Sequence, residues 1–199
     1  MTRSGLLNKS TILFLMVLTT GTLSCETLDL TPALSLPGTT TTIILVRHCE
    51  RDPGLDPPLN QEGFIRRAAL RNVLLENGLT AIYASDLIRN RQSVATLESG
   101  LGITATFISA LELADTKALA NRLVDEWLRD HAGGVILWCG NTGPVIPDVQ
   151  DGNMEEIYRR LGGIGRPPNR YQDLYIIVVP EAGATRFIKT QYGGPSSLD

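Results

Sequence analysis

Thr42-Ile43-Ile44-Leu45-Val46-Arg47-His48-Cys49-Glu50 opens with a β-branched, apolar run and ends on a cation, an imidazole, a thiol and a carboxylate. Apolar residues on both faces of so short a run suit a central strand covered from either side. Such a strand belongs to an α/β domain, and its carboxyl end delivers Arg47 and His48. Downstream, short apolar runs alternate with stretches of helical period. The expected fold is therefore a three-layer α/β sandwich with a mostly parallel central sheet.

Three prolines and Gly54 in Asp52-Pro53-Gly54-Leu55-Asp56-Pro57-Pro58 interrupt both regular structures, so this loop should lie over the strand end. Asn60 can cap the helix that follows. Ile65, Ala68, Ala69 and Val73 should form its packed face, with Arg66, Arg67 and Arg71 in solvent and Asn77-Gly78 closing it. Ala81 to Ala84 reads as a second strand. Ser85 or Asp86 caps a helix running to about Glu98, which places Arg89 in its first turn. Thr104 to Ile108 is a third short strand. Thr116 to Asp130 is helical, with Leu119, Leu123 and Trp127 at spacing four, and Gly133-Gly134 precedes a strand from Val135 to Trp138. Tyr175 to Val179 and Thr185 to Gln191 form a terminal hairpin.

The amino terminus has a different composition. Arg3 and Lys9 precede the apolar run Ile12 to Leu18, the layout of an export signal too short for a permanent membrane span. Gly21-Thr22-Leu23-Ser24-Cys25 resembles a bacterial lipoprotein box, which implies lipidation of Cys25. The expected organisation is a signal over residues 1–25, a tether over 26–41, a domain over 42–193 and a tail over 194–199. The expected location is the bacterial cell envelope, as a periplasmic lipoprotein held to the membrane by Cys25. With 199 residues, 43% of them apolar, the chain can fill one core, and a net charge of −3 leaves no basic surplus for nucleic acid.

Ligands of open α/β sheets bind outside the carboxyl ends of the strands. Arg47, His48 and Arg89 fall there. Two guanidinium forks match phosphate oxygens, and a neutral imidazole between them can act as a nucleophile toward phosphorus. No cysteine, histidine or carboxylate cluster has metal-ligand spacing, and no cofactor is expected.

These residues carry a family resemblance. Leu45-Val46-Arg47-His48-Cys49-Glu50 resembles the Arg-His-Gly signature of the histidine phosphatase superfamily. Ile82-Tyr83-Ala84-Ser85-Asp86-Leu87-Ile88-Arg89-Asn90-Arg91-Gln92-Ser93 is similar to its second signature, and Asp56 to Gly63 to its first loop and helix. Tyr171 to Gly193 resembles the terminal hairpin of small exported members. The resemblance implies a phosphoglycerate-mutase-like fold and an enzyme whose His48 attacks phosphorus while Arg47 and Arg89 hold the equatorial oxygens. It also implies a phosphorylated small molecule or phosphoprotein as substrate. Mutase activity is the weaker reading, because the long insertions of the glycolytic enzymes are missing.

One position departs from the pattern. The family's second histidine, at the end of the fourth strand, is replaced by Cys139, which with Gly140 and Asn141 is expected to border the phosphate; Thr142 can add a donor. His131 should lie at the opposite edge of the sheet. Glu112 and Asp115, after the third strand, are the candidate proton donors, and Glu50 is expected to orient the arginines. If the first and fourth strands are neighbours, as in the family fold, Cys49 and Cys139 come near enough for a disulfide across the site floor; the alternative is that both are reduced, buried small hydrophobes. Phosphomonoester or phosphohistidine hydrolysis is the expected function, impaired by the change at Cys139. A non-catalytic phosphoryl-binding module is the rival. A thiol redox protein lacks a Cys-x-x-Cys motif.

Overall fold

The computed structural model of the protein describes residues 32–143 and 152–198. The expected signal, Cys25 and the first residues of the tether lie outside the described residues. The element order is β1 (Thr40–Arg47), α1 (Gln61–Leu74), β2 (Ala81–Ser85), α2 (Ile88–Leu101), β3 (Thr106–Ile108), a 3-10 turn (Glu112–Ala114), α3 (Thr116–Asp130), β4 (Val135–Gly140), α4 (Asn153–Arg160), β5 (Asp173–Pro180) and β6 (Arg186–Gln191). The strands form one six-stranded sheet in the order β3-β2-β4-β1-β5-β6. The first four are mutually parallel, and β5 runs antiparallel to β1 and β6. This is the three-layer α/β architecture with a mostly parallel central sheet that the sequence predicts.

Alternation along β1 builds the two halves of the core. Ile43 and Leu45 face one side with Tyr83, Leu123, Trp127, Trp138 and Ile157, which brings α3 and α4 onto that face. Ile44 and Val46 face the other with Leu70, Leu74, Val94, Leu97 and Leu137, the residues that seat α1 and α2. The connections leaving β1 and β4 therefore cross to opposite faces of the sheet. Between two such neighbours the strand ends open into a crevice.

Several local expectations are corrected. The stretch expected as a tether is already docked before Thr42: Ala33 and Ser35 are buried, and the Ser35 hydroxyl donates to Val179 O at 2.7 Å. In α1 the buried residues are Gly63, Arg66, Leu70 and Leu74, whereas Ile65 and Val73 are exposed. The packed face is thus turned by one position, because Arg66 is enclosed with a tertiary partner, Glu50, at 2.6 Å. Gly63 permits that approach, since a Cβ there would sit 2.1 Å from Glu50 O. The carboxyl-terminal tail is strapped to α1 by Ser197, whose hydroxyl donates to Glu62 at 2.6 Å. Helix α4 carries no counterpart in the sequence reading.

Candidate active site

His48 sits one residue past β1, at the crevice between β1 and β4. Its backbone N–H donates to Gly140 O at 3.1 Å, so β4 fixes its height above the sheet. The imidazole is buried, and Nδ1 lies 2.7 Å from Cys49 O. A carbonyl only accepts, so Nδ1 carries the proton and Nε2 keeps its lone pair. Burial, with the charges of Arg47, Arg89 and Arg51, holds the His48 pKa down at about 3 against the raising effect of the Cys49 carbonyl. At neutral pH the ring is therefore uncharged.

Arg47 ends β1. Its Nη1 donates to Asn169 O at 2.8 Å, its Nη2 to the Tyr171 hydroxyl at 3.3 Å, and its guanidinium lies 4.0 Å over the Tyr171 ring. The same ring meets His48 edge-on, with centroids 5.6 Å apart. Tyr171 thus sets the positions of both groups.

Arg89 lies in the first turn of α2 and is buried, with Nη1 3.0 Å from Asp56. Its Nε is buried without a hydrogen-bond partner among the described residues, a donor left over for an anion. Helix α2 has no capping side chain at Leu87; both Asp56 oxygens instead accept the Ile88 N–H at 3.1 Å. Neither Ser85 nor Asp86 caps it as expected. Ser93 joins the two halves of the site, accepting from Cys49 N at 2.8 Å and donating to Arg89 O at 2.7 Å. Arg51, Asp56, Tyr171 and Ser93 are site residues that the sequence reading did not assign.

The model of the histidine phosphatase superfamily (branch 1) matches residues 43–191. The chain belongs to this superfamily. Among solved structures it is similar to the protein histidine phosphatase SixA complexed with tungstate, at 14% identity and a TM-score of 0.55, over 75% of this chain and 96% of that one. It is also similar to a phosphoglycerate mutase from Bacillus anthracis, at 13% identity and a TM-score of 0.52, over 76% of this chain and 93% of that one. At such identities the likeness is one of fold. Comparison with curated protein sequences finds no match.

Against the superfamily's pattern, several expected members of the site lie elsewhere. Cys139 is fully buried in the core half under α1 and α2, where burial pushes its thiol pKa up. It does not present a charged thiolate to the pocket. Asn90 donates to the carbonyls of Cys139 and Gly140 at 3.0 and 3.3 Å, which commits both to structural bonds. The Asn141 amide donates to Ser85 Oγ at 2.8 Å, and its backbone N–H to Asn153 at 2.9 Å, so it ties β2 to α4; its Oδ1 is buried without a partner among the described residues. Thr142 is only half-buried in a bend beyond Asn141.

Glu112 is exposed and bonded to Ser109 and, at 2.6 Å, to Arg122 of α3; its pKa is lowered, chiefly by the Ser109 hydroxyl, opposite to what a proton donor requires. Asp115 is spent as the cap of α3, accepting from Ala118 N at 2.9 Å. Glu50 orients Arg66 rather than the site arginines. Cys49 and Cys139 are both free and buried, the reduced alternative rather than the disulfide, and burial pushes the Cys49 thiol up to about 12. His131 closes α3, 2.9 Å from the Tyr83 hydroxyl, at the strand-entry side of β4.

Proposed function

We propose that the chain hydrolyses phosphomonoesters or phosphohistidine through a phosphoryl intermediate on His48. The observation that carries this is the state of His48: a neutral imidazole, anchored by Nδ1, with Nε2 available beside Arg47 and Arg89. Nε2 attacks phosphorus in line as the bond to the leaving group breaks, and the two guanidiniums take up the equatorial charge. Water then cleaves the P–N bond, releasing inorganic phosphate and the neutral ring. With Glu112 and Asp115 committed to other bonds, the reading favours substrates whose leaving group departs with little help from an acid.

The second reading is a phosphoryl-binding module without turnover. The burial of Cys139 where the resemblance places a second histidine favours it. Turnover of an aryl phosphate by the purified domain, with His48→Ala as the blank, separates the two. Activity confined to the wild type supports the hydrolase. Tight vanadate binding without activity supports the module.

The cellular setting is part of the same proposal. The basic start, the apolar run from Ile12 and the small residues before Cys25 support export and a lipid anchor in a bacterial envelope, among the small exported members of the superfamily. There the site would meet phosphorylated small molecules or phosphoproteins. Metabolic labelling with a fatty acid, lost in Cys25→Ala, tests the anchor.

A further inference from the structure

We propose that the apolar ridge of Pro32, Leu34 and Leu36, at the amino-terminal end of β1, rests on the lipid surface that carries the anchor, so that the crevice at His48 faces away from the bilayer and toward soluble phosphorylated ligands. This goes beyond the site itself and rests on the lipidation of Cys25 proposed above.

Residues 32–37 lead into β1 as a segment whose burial alternates from one residue to the next. Ala33 and Ser35 are buried, and Ser35 is bonded in place: its N–H donates to Pro180 O at 3.0 Å, and its hydroxyl oxygen accepts from Thr41 N at 3.0 Å. Pro32, Leu34 and Leu36 are exposed. The outward row of such a surface segment is ordinarily polar. Here it is wholly apolar, and the sequence carries no charged residue between Asp29 and Arg47. Thr41 is the second residue of β1 and Pro180 the last of β5, so the row lies at the strand-entry end of the sheet, opposite His48. The Gly38 N–H, which donates to Glu181 at 2.5 Å, ties the β5–β6 turn to the same end.

Two lengths bear on the orientation. Between Cys25 and Pro32 the chain takes seven steps, which cannot span more than about 25 Å. From Thr41 to His48 it rises about 23 Å along the sheet, and the loop of residues 52–58 lies at that far end, where Asp56 meets Arg89. A lipid on Cys25 therefore holds the entry end near the bilayer at any extension, whereas laying the crevice on the bilayer would take nearly the whole length. The exposed leucines add a preference for one face, because they lose contact with water on reaching the boundary between headgroups and acyl chains.

The test uses the full lipidated chain in vesicles of phosphatidylethanolamine and phosphatidylglycerol that contain a lipid spin-labelled at its headgroup. A fluorophore is attached through Ala182→Cys, in the β5–β6 turn, or through Leu55→Cys, in the loop at the crevice; both positions are exposed, whereas Cys49 and Cys139 are buried and stay unlabelled in the folded protein. Quenching at position 182 should exceed that at position 55 about threefold or more, and Leu34→Ser combined with Leu36→Ser should roughly halve the difference. Equal quenching at both positions overturns the proposal, since the domain then has no preferred face on the bilayer. Stronger quenching at position 55 overturns it by turning the crevice to the lipid. A difference unchanged by the two serines overturns the ridge as the docking surface. Fatty-acid labelling of the same preparation keeps the two readings apart: no lipid on Cys25 overturns the anchor and the surface with it, whereas lipid on Cys25 with equal quenching overturns the surface alone. If the double variant does not fold, Leu36→Ser alone should reduce the difference, and no reduction overturns the ridge.

Discussion

The Asp56 carboxylate meets Arg89 at 3.0 Å while accepting the Ile88 N–H at the head of α2. One loop residue therefore starts the helix and orients the guanidinium that the helix carries. It also places a negative charge beside the cation proposed to hold phosphate. The two effects separate in Asp56→Asn. Phosphate should bind roughly threefold to tenfold tighter once the competing charge is gone, whereas turnover should fall about tenfold as Arg89 loses its fixed pose. Calorimetry and steady-state kinetics on one preparation check both halves.

Glu50 and Arg66 form a fully enclosed ion pair at 2.6 Å, and Arg66 also donates to Tyr192 O and Gly194 O. Glu50→Ala leaves that guanidinium buried without its counter-charge. A loss of about 3–5 kcal/mol in urea unfolding is expected. A much smaller loss would mean that the pair is hydrated in solution.

The depressed pKa of His48 links folding to pH. The unfolded chain binds a proton at about pH 6.5, whereas the folded ring stays neutral down to about 3. Stability should therefore be lost as pH falls through that window, by roughly 1 kcal/mol per unit from this group. Denaturation at pH 7, 6 and 5 should show a shallower decline in His48→Gln than in the wild type. Parallel declines would place a charged or solvated imidazole in the folded protein.

Glu112 offers a check on the proton donor. Its carboxylate faces Ser109 and Arg122, so Glu112→Gln should change turnover by less than about twofold and stability by less than about 1 kcal/mol. A drop of orders of magnitude in kcat would return this residue to the site.

The bounds of α3 were legible because period and stop agree: Leu119, Leu123 and Trp127 share a face, and Gly133-Gly134 follows. The places of Arg47 and His48 at the end of β1, and of Arg89 in the first turn of α2, were legible in the sequence. The face of α1 was not legible, since periodicity assigns an arginine to solvent and only the tertiary partner Glu50 makes Arg66 a core residue. Asp56, Arg51 and Tyr171 escaped for a related reason. They lie in loops, where chain folding rather than spacing decides what each side chain meets. Glu112 and Asp115 stood as candidate acids in the sequence because a carboxylate that caps a helix or pairs with an arginine looks the same there.

Acid-sparing quench of the enzyme during turnover of an aryl phosphate, followed by peptide mass spectrometry, tests the central claim most directly. The expected result is one phosphoryl group on His48, stable to base and lost in acid, and absent from His48→Ala together with turnover. Undiminished turnover in His48→Ala, or a phosphoryl group trapped on any other residue, would contradict the account.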